Sequence, residues 1–353
     1  MIREAIRKLI EKQNLTYDEA YQVAKEIMFG KATPAQIGAF LIALKMKGET
    51  AEEITAFASA IRKFCYKIRP KVKGRLVDTC GTGGGYIKTF NISTVAAFVV
   101  AGAGITVAKH GNRSVTSNSG SADVLERLGL NLNVTPETVE RAIENVGIGF
   151  IFAPSFHSAM KNAASPRREI GIGTIFNMVG PLTNPASANA QVIGVYDTAI
   201  IEKMAKAARN LGLEEAMIVH GLDGLDEISI IGETQIAWLR NGEIKTLRVK
   251  PEDFGVQKVP PEEIIETNPE KSAELTFRIL YGHLKEDAKK DIVLVNAAAG
   301  IMVGGKADDF RYAMELAKES IEGGAAYKKL KNLIRFYVGS NLSKLEELEA
   351  KYG

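Results

Sequence analysis

Cysteine is almost absent from this chain: only Cys65 and Cys80 occur, far apart and without a CxxC pair. That excludes a zinc knuckle and a disulfide scaffold, and suits a reduced, cytoplasmic protein. No apolar run reaches the roughly 18 to 20 residues of a membrane span. The most apolar stretch, residues 96–108, is short and is interrupted by two glycines. The N-terminal MIREAIRKLIEK alternates charged and apolar residues and lacks the apolar centre of a signal peptide. An excess of one charge is also missing: 45 Lys and Arg against 42 Asp and Glu leave +3, too little to argue for a nucleic-acid partner. The basic run Lys67, Arg69, Lys71, Lys73 and Arg75 has no interleaved aromatics and reads as a solvated linker. Three signatures are absent as well. Without GxSxG a serine hydrolase is disfavoured, and neither the GxGxxG dinucleotide fingerprint nor the GxxxxGK[ST] nucleotide loop occurs.

What remains is a chain with 46% hydrophobic and 25% charged residues, long enough for one large core and a smaller domain. Residues 1–64 read as consecutive helices. Ile2, Ile6, Leu9 and Ile10 form an apolar stripe. Thr16 with Glu19, Thr33 with Pro34 and Gln36, and Thr50 with Glu53 are three helix starts, each a hydroxyl three residues before an acid or amide that can reach back. Gly30 and Gly48 close the preceding segments. The apolar surplus at Ile37, Phe40, Leu41 and Leu44 suggests a small helical domain, with a dimer surface as one use for it.

From residue 75 short apolar strands alternate with capped helices. Strands are expected at 76–79, 105–109, 149–152, 191–196 and 216–220, and helices at 93–102, 121–128, 136–145 and 198–211. This rhythm predicts a mainly parallel α/β sheet with both faces covered. Residues 166–190 break it, being rich in Pro, Gly and Asn. They read as an irregular excursion over the site or a return to the helical domain. Asn241-Gly242 marks a hairpin between antiparallel strands. Three helices, roughly 268–281, 285–303 and 308–338 with a break near Gly323-Gly324, are expected to close the chain. The division is therefore 1–70 for the small helical domain, with part of 166–190 returning to it, and 71–165 with 191–353 for the α/β domain.

Four polar clusters fall at strand ends or in irregular segments, where open α/β sheets bind ligands. In the first, GTGGG at 81–85 lies between a strand and a helix, flanked by Asp78, Thr82, Thr89, Asn91, Ser93 and Thr94. Crowded glycines let backbone N–H groups approach an anion, and the helix start adds its positive end. The second, Lys109-His110-Gly111-Asn112-Arg113, is followed by Ser114, Thr116, Ser117, Ser119 and Ser121. Cations with several hydroxyls suit phosphate oxygens. In the third, His157 and Lys161 stand four apart as on one helix face, and Arg167 could meet a carboxylate in a bidentate pair. The fourth is Asp226-Glu227, adjacent carboxylates in a glycine-rich loop that suit a magnesium ion touching substrate phosphates. Together they indicate a phosphate-rich substrate, magnesium and a second small anionic ligand.

The ordered set DTCGTGG, TFNIST, KHGNR, SGSADVLERLG, FAPSFHSAMKNAASPRREIG, TIFNMVGPLTNP and HGLDGLDE resembles the anthranilate phosphoribosyltransferases of tryptophan biosynthesis, over nearly the whole chain. The resemblance implies the nucleoside phosphorylase-like phosphoribosyltransferase fold, a homodimer through the helical domain, and Mg2+ as cofactor. It implies transfer of the phosphoribosyl group from 5-phosphoribosyl 1-pyrophosphate (PRPP) to anthranilate. Gly81, Thr82, Gly83, Gly84 and Gly85 would hold the diphosphate and ribose. Thr89, Asn91, Ile92, Ser93 and Thr94 would complete that clamp, and Lys109, Ser117 and Ser121 would grip phosphate. Ser93, Asp226 and Glu227 would carry the metal. Gly81, His110, Asn112, His157 and Arg167 would form the anthranilate side, with Arg167 on its carboxylate and His157 on the access path. No general base is nominated, because an aromatic amine is already neutral near physiological pH. Two readings on the same fold stand beside this one: a pyrimidine nucleoside phosphorylase, typically longer and magnesium-free, and a non-enzymatic nucleic-acid-binding relative. One departure stands out. The family commonly has an aspartate directly after GTGG, and here that residue is Gly85, which implies a weaker metal position with activity retained.

Overall fold

A computed structural model of the chain describes residues 1–113 and 119–353, so Ser117 lies outside the described residues. Four helices open it: α1 (Ile2–Ile10), α2 (Tyr17–Met28), α3 (Pro34–Lys47) and α4 (Ala51–Phe64). Thr16, Thr33 and Thr50 each accept from the backbone N–H three residues on, and the Glu19, Gln36 and Glu53 side chains reach back in full capping boxes. Glu53 does more than cap. It is fully buried, accepts from the Leu15 and Thr50 N–H groups, and pairs with the Lys47 ammonium at 2.7 Å.

In the linker that follows, Lys67, Arg69, Lys71 and Lys73 are exposed, as a solvated run should be, while its backbone and Arg75 are tied to the α/β part. The Arg69 and Lys71 N–H groups donate to Glu140 and Glu144, and Arg75 pairs with the fully buried Glu215 at 2.5 Å. The α/β part then runs β1 (Leu76–Gly81), α5 (Ile92–Gly102), β2 (Thr106–Gly111), α6 (Ser121–Arg127), α7 (Pro136–Val146), β3 (Ile148–Phe152), and a single turn α8 (Ala153–Phe156). It continues α9 (Lys161–Ile170), α10 (Ile175–Val179), β4 (Ala190–Gly194), α11 (Ile201–Asn210) and β5 (Glu215–Gly221). Strands β6 (Thr234–Arg240) and β7 (Glu243–Val249) form the expected hairpin, with Asn241 and Gly242 both at positive φ, 52° and 77°. Two successive left-handed residues match the twist of the strands they join.

One seven-stranded sheet results, in the order β3-β2-β1-β4-β5-β6-β7, with the first five parallel and the last two antiparallel. Strand order reverses between β1 and β4, so a crevice opens above their carboxyl ends. α5, buried along nearly its whole length, packs on one face with α12 (Pro269–Leu280), α13 (Ala288–Val303), α14 (Phe310–Glu322) and α15 (Ala325–Phe336). α11 covers the other face, and the helical bundle docks against it through α4. A further helix, α16 (Ser343–Tyr352), closes the chain where the sequence pattern ended at 338. No helix among the described residues is long and apolar enough to cross a membrane.

The segment read as irregular is helical in part, a correction to the sequence reading, and its helices pack on the N-terminal bundle. α9 spans 161–170 with Pro166 inside it, and packs on α2 and α3. Asn162 anchors it by donating to the Met28 carbonyl at 2.7 Å. α10 packs on α4, with Phe176 edge-on to Phe57 at 6.0 Å between centroids. A proline removes one helical hydrogen bond, but tertiary packing along the helix offsets that loss.

Candidate active site

The carboxyl ends of β1 and β2 and the loop after β5 meet at one cleft. Its wall is a cavity of about 300 Å³ lined by residues 80–85 and 87–94 after β1, 109–113 at the end of β2, 119–121 before α6, Asn177 of α10, and Asp226 with Glu227 after β5. Thus Gly81, Thr82, Gly83, Gly84, Gly85, Thr89, Asn91, Ile92, Ser93, Thr94, Lys109, His110, Asn112, Ser121, Asp226 and Glu227 are brought together, although they come from four separate stretches of chain.

The glycine loop works as expected for an anion cradle. Gly83 and Gly84 sit at φ of 65° and 93°, a backbone that side chains with a Cβ rarely adopt. Opposite it, the N-terminal turn of α5 (Ile92, Ser93 and Thr94) lines the same space with the positive end of the helix. The N–H groups of this turn are engaged, Ile92 with the Phe90 carbonyl, Thr94 with the Asn91 carbonyl and Ser93 with Glu227. Lys109 is buried, with its ammonium donating to the Thr79 carbonyl at 2.5 Å. Lys88, in the loop, donates to the Gly85 carbonyl at 2.7 Å. The cleft is thus lined by three cations, Lys88, Lys109 and Arg113, beside a glycine-rich loop and a helix start, which is a surface for a polyanion.

Asp226 and Glu227 lie across from the loop. Burial pushes both carboxyls above the usual range. Backbone N–H bonds and the charges of Lys88 and His220 oppose this at Asp226. Glu227 is pushed up to about 8, by burial first and by its neighbour Asp226 second, while Lys109 and the Ser93 N–H pull it down. The loop carrying them crosses tightly over β4: a Cβ on Gly194 would overlap the Asp226 carbonyl. Two adjacent desolvated carboxylates are a donor set for a hard divalent ion, whose charge would offset the cost of their burial. Among the described residues no cluster of three His, Cys, Asp or Glu groups forms, so such an ion would complete its shell with hydroxyl, water or substrate oxygens.

The remaining sequence candidates are placed differently. His157 and Lys161 do not share a helix face: His157 sits at φ −115°, ψ 51° between α8 and a short 3-10 turn over Ser158–Met160, and α9 begins only at Lys161. Its ring is buried 5.2 Å from that of His110, and neither ring nitrogen of His157 finds a partner among the described residues. Burial lowers His157 to about 4 and leads the causes that lower His110 well below the ordinary range, so both are neutral near neutral pH. Arg167 lies over the Phe176 ring at 5.1 Å and pairs with no carboxylate among the described residues. Burial lowers its pKa. Neither His157 nor Arg167 lines the cavity itself, yet each touches a residue of its rim or of α10, one side chain away from Asn177.

Sequence reasoning passed over Lys88 and Asn177. Lys88 is a cation inside the glycine-loop motif, so charge alone could have found it. Asn177 reaches the cleft only because its side chain accepts from the Thr174 N–H and starts α10 there; the Thr-x-x-Asn spacing was the available signal. Arg113, by contrast, lines the cleft while tied to Asp123 and Glu126.

A helical bundle set on an α/β domain, with a polyanion cleft and paired carboxylates at the strand-order reversal, defines a glycosyl transferase. Residues 3–65 match the family model "Glycosyl transferase family, helical bundle domain", and residues 73–327 match "Glycosyl transferase family, a/b domain". The chain belongs to the anthranilate phosphoribosyltransferase family. It is 49% identical over 336 residues to the anthranilate phosphoribosyltransferase of Acetivibrio thermocellus, covering 95% of this chain and 96% of the relative. It is 46% identical over 334 residues to that of Aquifex aeolicus, at 95% and 98% coverage. Among solved structures, the Thermus thermophilus anthranilate phosphoribosyltransferase superposes with a TM-score of 0.88 at 39% identity, covering 94% of this chain and 99% of that one. The Saccharomyces cerevisiae enzyme in complex with PRPP and Mg superposes at 0.86 with 28% identity, over 95% and 97%.

Proposed function

We propose that this chain transfers the 5-phosphoribosyl group of PRPP to the amine of anthranilate, releasing pyrophosphate and forming N-(5-phosphoribosyl)anthranilate. The observation that carries this is the convergence of the glycine loop, the α5 N-terminus, Lys109 and the Asp226–Glu227 pair on one cleft, in a chain of this family. The amine nitrogen attacks C1 of the ribose as the bond from C1 to the diphosphate oxygen breaks. The amine proton passes to solvent. Residues 81–85, Thr89, Asn91 and the first turn of α5 bind and align the diphosphate and ribose, so that the oxocarbenium-like transition state forms in a fixed line. Lys109, with Lys88 beside it, balances charge growing on the leaving group. Asp226 and Glu227, with Ser93, would hold Mg2+, which when bound supplies further neutralisation of the diphosphate.

The acceptor binds on the side of His110, Asn112, His157 and Arg167. An arginine with no carboxylate partner among the described residues supports a carboxylate ligand there, and two neutral imidazoles suit an uncharged aromatic amine. No residue is assigned as general base. A dimer through the helical bundle is part of this reading; Ile10 and Met46, 67% and 82% exposed on the mutually packed α1 and α3, support it. The reading places the protein in the cytoplasm.

The test is direct. Purified protein with anthranilate, PRPP and Mg2+ should consume anthranilate fluorescence at a rate proportional to enzyme. Absence of that loss, with phosphate-dependent cleavage of a nucleoside instead, would favour a phosphorylase. Arg167→Ala should raise KM for anthranilate about tenfold or more while sparing that for PRPP, as loss of a bidentate charged pair predicts.

A further inference from the structure

The ladder between β1 and β2 is cut short. It pairs Leu76 with Thr106 and Val77 with Val107, and stops. On either side the neighbouring ladders continue: β1 with β4 as far as Gly81 and Gly194, and β2 with β3 as far as Gly111 and Phe152. From residue 78 on, β1 and β2 remain neighbours but no longer pair backbone to backbone, and the groups left over must find other partners.

Three side chains fill that gap. The Asp78 carboxylate accepts from the His110 N–H through Oδ1 at 3.2 Å. Asn184, from the segment between α10 and β4, donates to Asp78 Oδ2 at 2.9 Å and to the Ala108 carbonyl at 2.8 Å. Lys109 donates to the Thr79 carbonyl at 2.5 Å. Gln191 adds a longer contact to Asp78 Oδ2 at 3.4 Å and ties to the Pro181 carbonyl at 2.8 Å. Asp78 and Gln191 are fully buried and Asn184 nearly so. Burial pushes the Asp78 carboxyl up, and the Lys109 charge leads the groups that partly oppose this.

We infer that Asp78 is a positioning residue for the transfer reaction: it bridges β1 to β2 where their backbone ladder stops and sets the Lys109 ammonium and the end of β2 against the glycine loop. It touches no substrate, and the inference rests on the reading of Lys109 as a phosphate-binding cation. The bridge calls for a carboxylate in particular. Both oxygens accept, one from a backbone N–H and the other from two amides. An asparagine would turn an NH2 group toward one of those donors. Asn184 cannot rotate to compensate, because its Oδ1 already accepts from the Ala186 N–H at 2.9 Å.

A double-mutant cycle tests this on the full chain, with PRPP titrated calorimetrically in Mg2+ buffer well below the melting temperature of every variant. Lys109→Ala should weaken PRPP binding about tenfold or more, and Asp78→Asn about tenfold, the scale of one charge-assisted hydrogen bond. The double variant should bind no more weakly than Lys109→Ala alone, because Asp78 acts through that lysine. Losses that multiply in the double variant, or wild-type affinity in Asp78→Asn, overturn the positioning role while leaving the site reading intact. Wild-type affinity in Lys109→Ala overturns the phosphate role of Lys109 and the positioning role with it. Should Asp78→Asn fail to fold, Asn184→Ala takes its place in the same cycle. It keeps the carboxylate but releases the Ala108 tether, and the same loss and the same non-additivity are expected.

Discussion

A Cβ at Gly85 would stand 2.5 Å from Oδ1 of Asp226 and 3.1 Å from its Cγ. An aspartate placed here would therefore have to share space with a carboxylate already pushed up by burial. Gly85→Ala should lower the transfer rate about tenfold through displacement of Asp226, in the range that overpacking costs, without changing the shape of the magnesium dependence. Gly85→Asp should add to this an inhibition at excess Mg2+, because a third carboxylate offers a second ion a place. Rate against magnesium concentration separates them, and superimposable curves for the two variants would sink the argument. His157 gives a second test at this scale. Its pKa falls from an ordinary 6.5 to about 4 on burial, so the unfolded chain binds more protons between those values and stability drops as pH falls through that window. The gap is worth on the order of 3 kcal/mol. Because neither ring nitrogen is partnered among the described residues, His157→Phe should flatten the acid side of a melting-temperature profile while leaving the neutral side nearly unmoved. A profile unchanged by the substitution would contradict this.

At the scale of elements, local signals were readable and distant ones were not. Thr16-x-x-Glu19, Thr33-Pro-x-Gln36 and Thr50-x-x-Glu53 mark their helices because a capping box is complete within four residues. Asn241-Gly242 marks its hairpin for the same reason. α9 escaped because Pro166 argues against a helix, and what holds it, the Asn162 bond to Met28, joins residues far apart in sequence. His157 escaped likewise: a four-residue spacing to Lys161 suggested a shared face, but the backbone breaks at His157 itself. The solvated character of the basic linker was readable, and Lys67, Arg69, Lys71 and Lys73 are exposed, whereas its anchors Glu140, Glu144 and Glu215 are invisible from residues 67–75. Glu53 shows how a local signal can conceal a larger role. Read as a cap, it would be worth about 1 kcal/mol. Fully buried, bonded to Leu15 and paired with a Lys47 side chain only 3% exposed, its replacement strands a buried ammonium. Glu53→Ala should therefore cost about 3 to 5 kcal/mol in chemical denaturation, and Lys47→Met combined with it should recover much of that loss. A cost near that of a cap alone would mean the pair is solvated in solution.

Across the whole molecule, the boundary suggested by composition near residue 70 does not coincide with a boundary between cores. One core holds α5, α12 to α15 and the sheet face beneath them. The other runs without interruption from α1–α4 through Ile175, Phe176, Met178, Val179 and Leu182 to α11 and the opposite sheet face. Polar contacts follow the same path, since Arg62 of α4 donates to the Leu182 carbonyl at 2.6 Å and to the Leu211 carbonyl at 3.2 Å. The bundle is thus finished by residues contributed more than a hundred positions later. Losing five buried apolar side chains at roughly 1.5 to 3 kcal/mol each removes on the order of 10 kcal/mol, which matches or exceeds the whole stability expected of a domain this small. Residues 1–70 expressed alone should accordingly keep helical far-UV circular dichroism, because their caps are local, but melt without a cooperative transition. A fragment that melts sharply, with a denaturant slope proper to its size, would show that the bundle folds by itself and that the shared core is only a docking surface.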